Sequence, residues 1–224
     1  MIRFITGTDT GVGKTVASAV LGYLARDGGA LIRYVKPVQT GIGPDAPGDA
    51  DFVAAATGIE AGEILRFDEP LTPAVAAERA GVTIDYDALA ADVLSRESGV
   101  DQLLVEGAGG LLAPLAGNRT MADLAATLRA ALVVVARPGL GTLNHTALTV
   151  EAAAKRGLTV EGVVISGWPA RPGLAERTNL DRLRALAPIT AILRYVRGVS
   201  VDGGKSQALR TALARGTVVV EPPD

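Results

Sequence analysis

The sequence predicts a doubly wound α/β fold, a mostly parallel sheet flanked by helices, on three observations. Apolar runs of strand length alternate along the 224 residues with longer Ala- and Leu-rich stretches at helical spacing. The strand-like runs are nearly continuous in Val, Ile and Leu, the pattern of strands buried on both faces. A glycine-rich turn ending in Gly-Lys-Thr joins the first run to the first helix. Strands separated by helices require right-handed crossovers, and such sheets bind ligands beyond the carboxyl ends of their strands.

Element by element, residues 2–6 form the first predicted strand, 14–26 the first helix and 31–36 the second strand. Residues 49–57 and 87–95 read as helices, 102–106 as the third strand and 131–136 as the fourth. A helix is predicted over 143–155, a fifth strand over 159–166 and a helix over 177–186. A weaker strand at 189–196 and a helix at 204–214 follow. The Pro- and Gly-bearing segments 41–48 and 67–74 are too short for interdomain linkers, and no internal repeat is visible. One domain over residues 1–224 is expected.

Composition narrows the function classes. A formal net charge of −2 gives no reason to expect nucleic acid or an anionic membrane as partner. The absence of cysteine excludes disulfides, thiolate metal sites and a cysteine nucleophile. The first residues, Met1-Ile2-Arg3-Phe4-Ile5-Thr6-Gly7, do not read as a signal peptide. No stretch reaches the ~18 uninterrupted apolar residues of a membrane span. A soluble, cytoplasmic protein is expected.

Gly7-Thr8-Asp9-Thr10-Gly11-Val12-Gly13-Lys14-Thr15 lies between the first strand and its helix, the setting a phosphate-binding P-loop requires. Glycines let the chain turn its amides inward, and the helix amino terminus adds partial positive charge. Lys14 is suited to the β- and γ-phosphates and the Thr15 hydroxyl to Mg²⁺. Gly11, Val12, Gly13, Lys14, Thr15 and Val16 are therefore the candidate nucleotide-binding residues. The usual spacing puts the first glycine at position 8; here it stands one residue early, at Gly7. The bland alternative is an ordinary glycine-rich turn with a chance Gly-Lys-Thr.

Other candidates gather at the same sheet edge. Glu106, in Val105-Glu106-Gly107-Ala108-Gly109-Gly110, ends a buried strand where a metal-binding acid of a P-loop enzyme would lie. Lys36, in Lys36-Pro37-Val38-Gln39-Thr40-Gly41, could neutralise a transferred phosphoryl group, though alone such a lysine is more often a surface residue. Gly48-Asp49-Ala50-Asp51 opens a helix, and its acids read equally as helix caps or as a second Mg²⁺ carboxylate. His145, the one histidine, reads as structural. Trp168 reads as packing first and as a wall of a base pocket second.

Taken together, the segments 7–15, 36–41, 105–110 and Gly141-Thr142-Leu143-Asn144-His145-Thr146 resemble the motifs of the dethiobiotin synthetase family, in order, including its displaced first glycine. The resemblance spans residues 6 to about 168. It implies a homodimeric biotin-biosynthetic ligase with its substrate site at the subunit interface. Its substrates would be 7,8-diaminopelargonic acid, CO₂ and MgATP, converted through an N-carbamate and a carbamic-phosphoric anhydride. It implies Lys14, Lys36 and Thr10 in catalysis, and Thr15, Asp49 and Glu106 on Mg²⁺, with Asp51 competing for the place of Asp49. Thr10, Lys36, Thr40 and Gly109 would meet the diamine or its carbamate. Gly141, Thr142, Leu143 and Asn144 would receive its carboxylate end. Gly167 and Trp168 would lie at the base. The family commonly carries an Asn after the fifth strand; this chain reads Ser166-Gly167-Trp168-Pro169-Ala170-Arg171, so use of other nucleoside triphosphates beside ATP is expected. The rival is a dimeric P-loop ATPase switch of the partitioning or cell-division type, against which Asp9 stands where such proteins carry a signature lysine.

Overall fold

A computed structural model describes residues 1–201 and 204–220, and in it the apolar runs lie side by side in one sheet. The first part of the chain runs β1 (Ile2–Gly7), α1 (Lys14–Asp27), β2 (Ile32–Thr40), α2 (Asp49–Thr57) and β3 (Glu60–Phe67). It continues through α3 (Pro73–Arg79), α4 (Tyr86–Ser95) and β4 (Gln102–Gly110). A small hairpin, β5 (Pro114–Ala116) with β6 (Arg119–Thr120), leads into α5 (Met121–Thr127). Then come β7 (Ala131–Ala136), α6 (Thr142–Ala154), β8 (Val160–Trp168) and α7 (Leu174–Arg184). β9 (Ile189–Arg194), α8 (Gln207–Ala214) and β10 (Val219–Val220) close the described chain.

The sheet order is β10-β9-β8-β7-β1-β4-β2-β3, parallel throughout except for the antiparallel β10. The predicted fold class is the observed one. Strands β1, β4 and β7 are buried on both faces, which is why they read as unbroken apolar runs. On one face Ile5, Tyr34, Leu104 and Val133 pack with α1, α2 and α8. On the other, Phe4, Leu103 and Leu132 pack under α3 to α6, and Val134, Ile165 and Leu180 under α7. No helix among the described residues is long and apolar enough to cross a membrane.

The structure adds elements that periodicity did not reveal. β3 pairs only with β2, so its Glu-Ala-Gly-Glu-Ile-Leu-Arg-Phe sequence keeps the polar residues of a partly solvated edge. β10 is a two-residue strand on the opposite edge. Helices α3 and α5, seven residues each, are too short for a clear helical period. The α7 helix begins at Leu174 rather than 177, and α8 at Gln207 rather than 204.

One difference positions the site. The second and third strands, expected to stop at Lys36 and Glu106, run on to Thr40 and Gly110. β2 pairs with β4 only as far as Val35 opposite Val105, and beyond that stays with β3 alone. Pro37, which has no N–H for a ladder, follows directly. Strands β2 and β4 thus part where Lys36 and Glu106 stand, and the parting opens the crevice.

Candidate active site

The phosphate loop connects β1 to α1 next to the central switch of strand order, where β1 lies between β4 and β7. Gly13 immediately precedes α1 with φ of +96°, and a Cβ there would meet Ser166 Oγ at 2.3 Å. Gly7 explains the displaced glycine: a Cβ at this position would lie 2.7 Å from the Asp9 carbonyl oxygen. The chain must fold that tightly for the loop to curl over itself. The first amides of α1 then face open space with the positive end of the helix dipole, an arrangement suited to an anion. Lys14 is buried and its Nζ donates to the Asp9 carbonyl at 3.2 Å. Burial, with the nearby Lys36 charge, lowers its pKa below the ordinary lysine value.

Glu106 is the hub of the site. Only 1% exposed, it accepts from four side chains: Thr15 Oγ1 at 2.9 Å, Ser18 Oγ at 2.7 Å, Tyr34 Oη at 3.0 Å and Lys36 Nζ at 2.9 Å. Lys36 Nζ also lies 2.6 Å from Asp49 Oδ2, so its ammonium bridges two carboxylates. Burial works against that charge, but Glu106 and Asp49 outweigh it and raise the Lys36 pKa. Tyr34 is pushed well above the ordinary phenol value, first by burial and then by Glu106, and stays a donor.

Asp49 and Asp51 face different ways. Asp51 turns back to accept from the Gly48 N–H at 2.8 Å and lies 3.8 Å from Arg66, capping α2 at the surface. Asp49 faces the crevice, its own N–H held by Gln39 Oε1 at 3.0 Å.

Two clefts flank the phosphate loop. The larger, about 890 Å³, is lined by Lys14, Thr15, Lys36, Asp49 and Glu106, together with the predicted Thr10, Thr40 and Gly109. The smaller, about 420 Å³, lies on the other side and is lined by Gly11, Val12, Gly13, Val16 and Gly167, with Arg194 and Tyr195 opposite. Thr10, Gly11 and Gly13 border both. Trp168 borders neither: its side chain is 5% exposed and packs with Leu180 and Leu183 under α7, so the packing alternative describes it. Gly141, Thr142, Leu143 and Asn144 also stand apart from both clefts, at the start of α6. The next residue, His145, is nevertheless near enough to Asp9 of the phosphate loop to act on its charge.

The donor set suits a hard divalent cation. Asp49 and Glu106 offer two carboxylates, balanced by the ammonium groups of Lys14 and Lys36 in the same cleft, and Thr15 adds a hydroxyl. No group of three or more His, Cys, Asp or Glu that could hold a metal exists among the described residues. Magnesium commonly takes one or two carboxylates and completes its shell with phosphates and water, and this donor set is compatible with it.

Three contacts escaped the sequence reading. Tyr34 lies two residues before Lys36 on the same strand face, and Ser18 one turn after Lys14 and Thr15. Both periodicities were available as signals. Arg137, bonded to Asp9 Oδ2 at 2.8 Å, offered none. Its partner is 128 residues away and adjacent only because β7 pairs with β1.

Comparison with known proteins identifies the family. A family model described as an AAA domain matches residues 3–199. The chain is 51% identical over 194 residues to the ATP-dependent dethiobiotin synthetase of Frankia casuarinae, covering 84% of this chain and 82% of that one. It is 43% identical over 224 residues to the ATP-dependent dethiobiotin synthetase of Mycolicibacterium gilvum, covering 97% and 99%. Among solved structures it resembles the MinC:MinD cell division protein complex of Aquifex aeolicus, with TM-score 0.57 at 14% identity over 100% of this chain and 98% of that chain. A ParA family ATPase from Chlorobium tepidum gives TM-score 0.60 at 12% identity over 96% and 98%. At those identities the likeness to the two structures concerns the fold.

Proposed function

The chain belongs to the ATP-dependent dethiobiotin synthetase family, and on that premise we propose how its residues close the cyclic urea of dethiobiotin. The reaction is a ligation: 7,8-diaminopelargonic acid, CO₂ and ATP give dethiobiotin, ADP and phosphate. One substrate amine takes up CO₂ as a carbamate and releases a proton. A carbamate oxygen then attacks the γ-phosphorus, the bond to the ADP oxygen breaks, and a carbamic-phosphoric anhydride results. The neighbouring amine attacks the activated carbonyl, phosphate leaves, and the ring closes.

The observation that carries the assignment of roles is the Lys36 ammonium held between Asp49 and Glu106 at 2.6 and 2.9 Å, in the same cleft as Lys14 and Thr15. Lys36 stays protonated because its two carboxylates raise its pKa, so it brings a full charge to the carbamate and the phosphoryl oxygens. Lys14 approaches the same phosphoryl group from the loop. Thr10 and Thr40 hydrogen-bond the diamine end and hold the carbamate in line. Such positioning and charge neutralisation supply most of the catalysis of phosphoryl transfer. Thr15, Glu106 and Asp49 would hold Mg²⁺, which when bound neutralises charge on the β- and γ-phosphates.

The family's site is completed across a homodimer, and the same reading takes the 141–144 segment, which lines neither cleft of its own chain, as the part that serves a partner copy. One P-loop unit per subunit, a cytoplasmic location, and no nucleic acid or membrane partner complete the proposal. The partitioning-type switch remains a likeness of fold: Asp9, paired with Arg137, occupies the place of a switch's signature lysine.

The smaller cleft takes the nucleobase. With Gly167 near the end of β8, Pro169 just after it and no Asn there, it does not single out adenine, and CTP and GTP are expected to compete with ATP. Competition calorimetry detecting ATP alone would contradict this. The reaction itself is tested with purified protein, the diamine, ¹³C-bicarbonate, MgCl₂ and ATP, read by mass spectrometry. Labelled dethiobiotin that requires both diamine and nucleotide is the expected product, and its absence with nucleotide binding intact would overturn the assignment.

A further inference from the structure

The two oxygens of Glu106 are held differently. Oε1 accepts from Thr15 and Lys36, both of which line the phosphate cleft. Oε2 accepts from Ser18 at 2.7 Å and Tyr34 at 3.0 Å, and those two residues are fully buried and do not line it. One oxygen therefore faces the chemistry and the other is pinned from behind, by a helix on one side and a strand on the other. The terminal torsion of a glutamate is intrinsically broad, so without such pins the carboxylate plane would sample many orientations. Tyr34 packs with Ile5, Phe52 and Leu104, where a phenylalanine ring would fill the same space. Its hydroxyl is the one part of the side chain that the core does not require, and the partner it finds is the site carboxylate.

We infer that Tyr34, together with Ser18, is a positioning residue that turns Glu106 Oε1 toward the divalent cation bound beside Thr15. The inference rests on the reading of Glu106 as a magnesium ligand. Ligating groups are aimed by the hydrogen bonds on their far side, and loss of such a bond typically weakens metal affinity about 10- to 100-fold. Two far-side donors act here, so removing one sets the expectation at the lower end, about 10-fold.

The test compares wild type with Tyr34→Phe, Ser18→Ala and Glu106→Gln. Mn²⁺ is titrated into the protein with ADP present, free Mn²⁺ is read by electron paramagnetic resonance, and ADP affinity in EDTA is measured separately. Tyr34→Phe is expected to weaken Mn²⁺ binding about 10-fold while ADP affinity in EDTA stays within about twofold. In turnover, the Mg²⁺ concentration for half-maximal rate should rise, with kcat recovered at saturating Mg²⁺ and the KM for the diamine unchanged. Ser18→Ala should move the same readouts in the same direction, and it serves alone if Tyr34→Phe does not fold. If both variants bind Mn²⁺ as wild type does while Glu106→Gln loses it, Tyr34 and Ser18 are packing residues and the inference is wrong. If Glu106→Gln also binds normally, Glu106 is not a ligand, and the underlying reading falls with it.

Discussion

Lys36 concentrates the residue-scale argument, because it is buried, charged and shared between two acids that cannot comfortably face each other without it. Breaking a buried ion pair by removing one partner costs about 3–5 kcal/mol, since the remaining charge is left uncompensated. Here that cost has a local remedy, because Asp49 and Glu106 open onto a cleft that water and cations reach. Lys36→Ala is therefore expected to fold and to bind nucleotide nearly as before, with the phosphate loop intact. Turnover should fall at least about 100-fold, the scale on which one preorganised charge stabilises a transition state. Steady-state dethiobiotin formation and ADP calorimetry on the same preparation check both halves. A near-normal rate would remove Lys36 from the chemistry, and lost nucleotide binding would make it a loop-shaping residue instead. Lys14 differs in kind: its ammonium leans on its own loop carbonyl with a lowered pKa, ready to exchange that weak contact for a phosphate.

At the scale of elements, short helices depend on their ends more than on their length. Helix α5 has seven residues and starts with a cap in which Asp123 Oδ2 accepts from the Thr120 N–H and O–H, both at 2.7 Å. Burial pushes the Asp123 pKa up, but those two hydrogen bonds prevail and hold it below the ordinary value. A carboxylate with a depressed folded pKa contributes stability that is present above its unfolded value, about 3.9, and is lost as pH falls through the folded one. Asp123→Ala should thus cost about 1 kcal/mol at pH 7, and the gap to wild type should shrink below about pH 4. Urea unfolding at the two pH values measures it, and a gap independent of pH would show that the charge plays no part. The same helix shows where sequence reading stops. β1, β4 and β7 were legible because burial on both faces demands unbroken apolar runs, while β3 was not, because an edge strand keeps polar residues. The phosphate loop, Lys36 and Glu106 were legible through local spacing. The Asp9–Arg137 pair was not, because it exists only once β7 has docked beside β1.

At the scale of the whole molecule, the residues proposed for the phosphate chemistry line one cleft of a single chain, whereas the segment proposed for the substrate's carboxylate end lines neither cleft. Gly141, Thr142, Leu143 and Asn144 start α6, outside both clefts. Around them the surface is unusually apolar: Leu140 is 91% exposed, Leu148 57% and Leu174 73%. Leu174 opens α7, which is tied to this same corner by Asn179 Nδ2 donating to the carbonyls of Pro138 and Gly139 at 3.0 and 3.1 Å. A corner stiffened by such bonds yet leaving three leucines in water is better suited to a partner than to solvent. The homodimer reading then makes a paired prediction. Light scattering coupled to size exclusion should give twice the chain mass for wild type, and a Leu140→Asp, Leu148→Asp variant should run as a folded monomer. That monomer should keep its ADP affinity within about twofold, because nucleotide binding needs only the local loop and helix amino terminus. It should lose nearly all turnover, because the carboxylate end of the diamine has no receiver. A monomeric variant that still makes dethiobiotin at the wild-type rate would show that each chain completes its own substrate site. A wild type that is itself monomeric and active would lead to the same conclusion without any mutation.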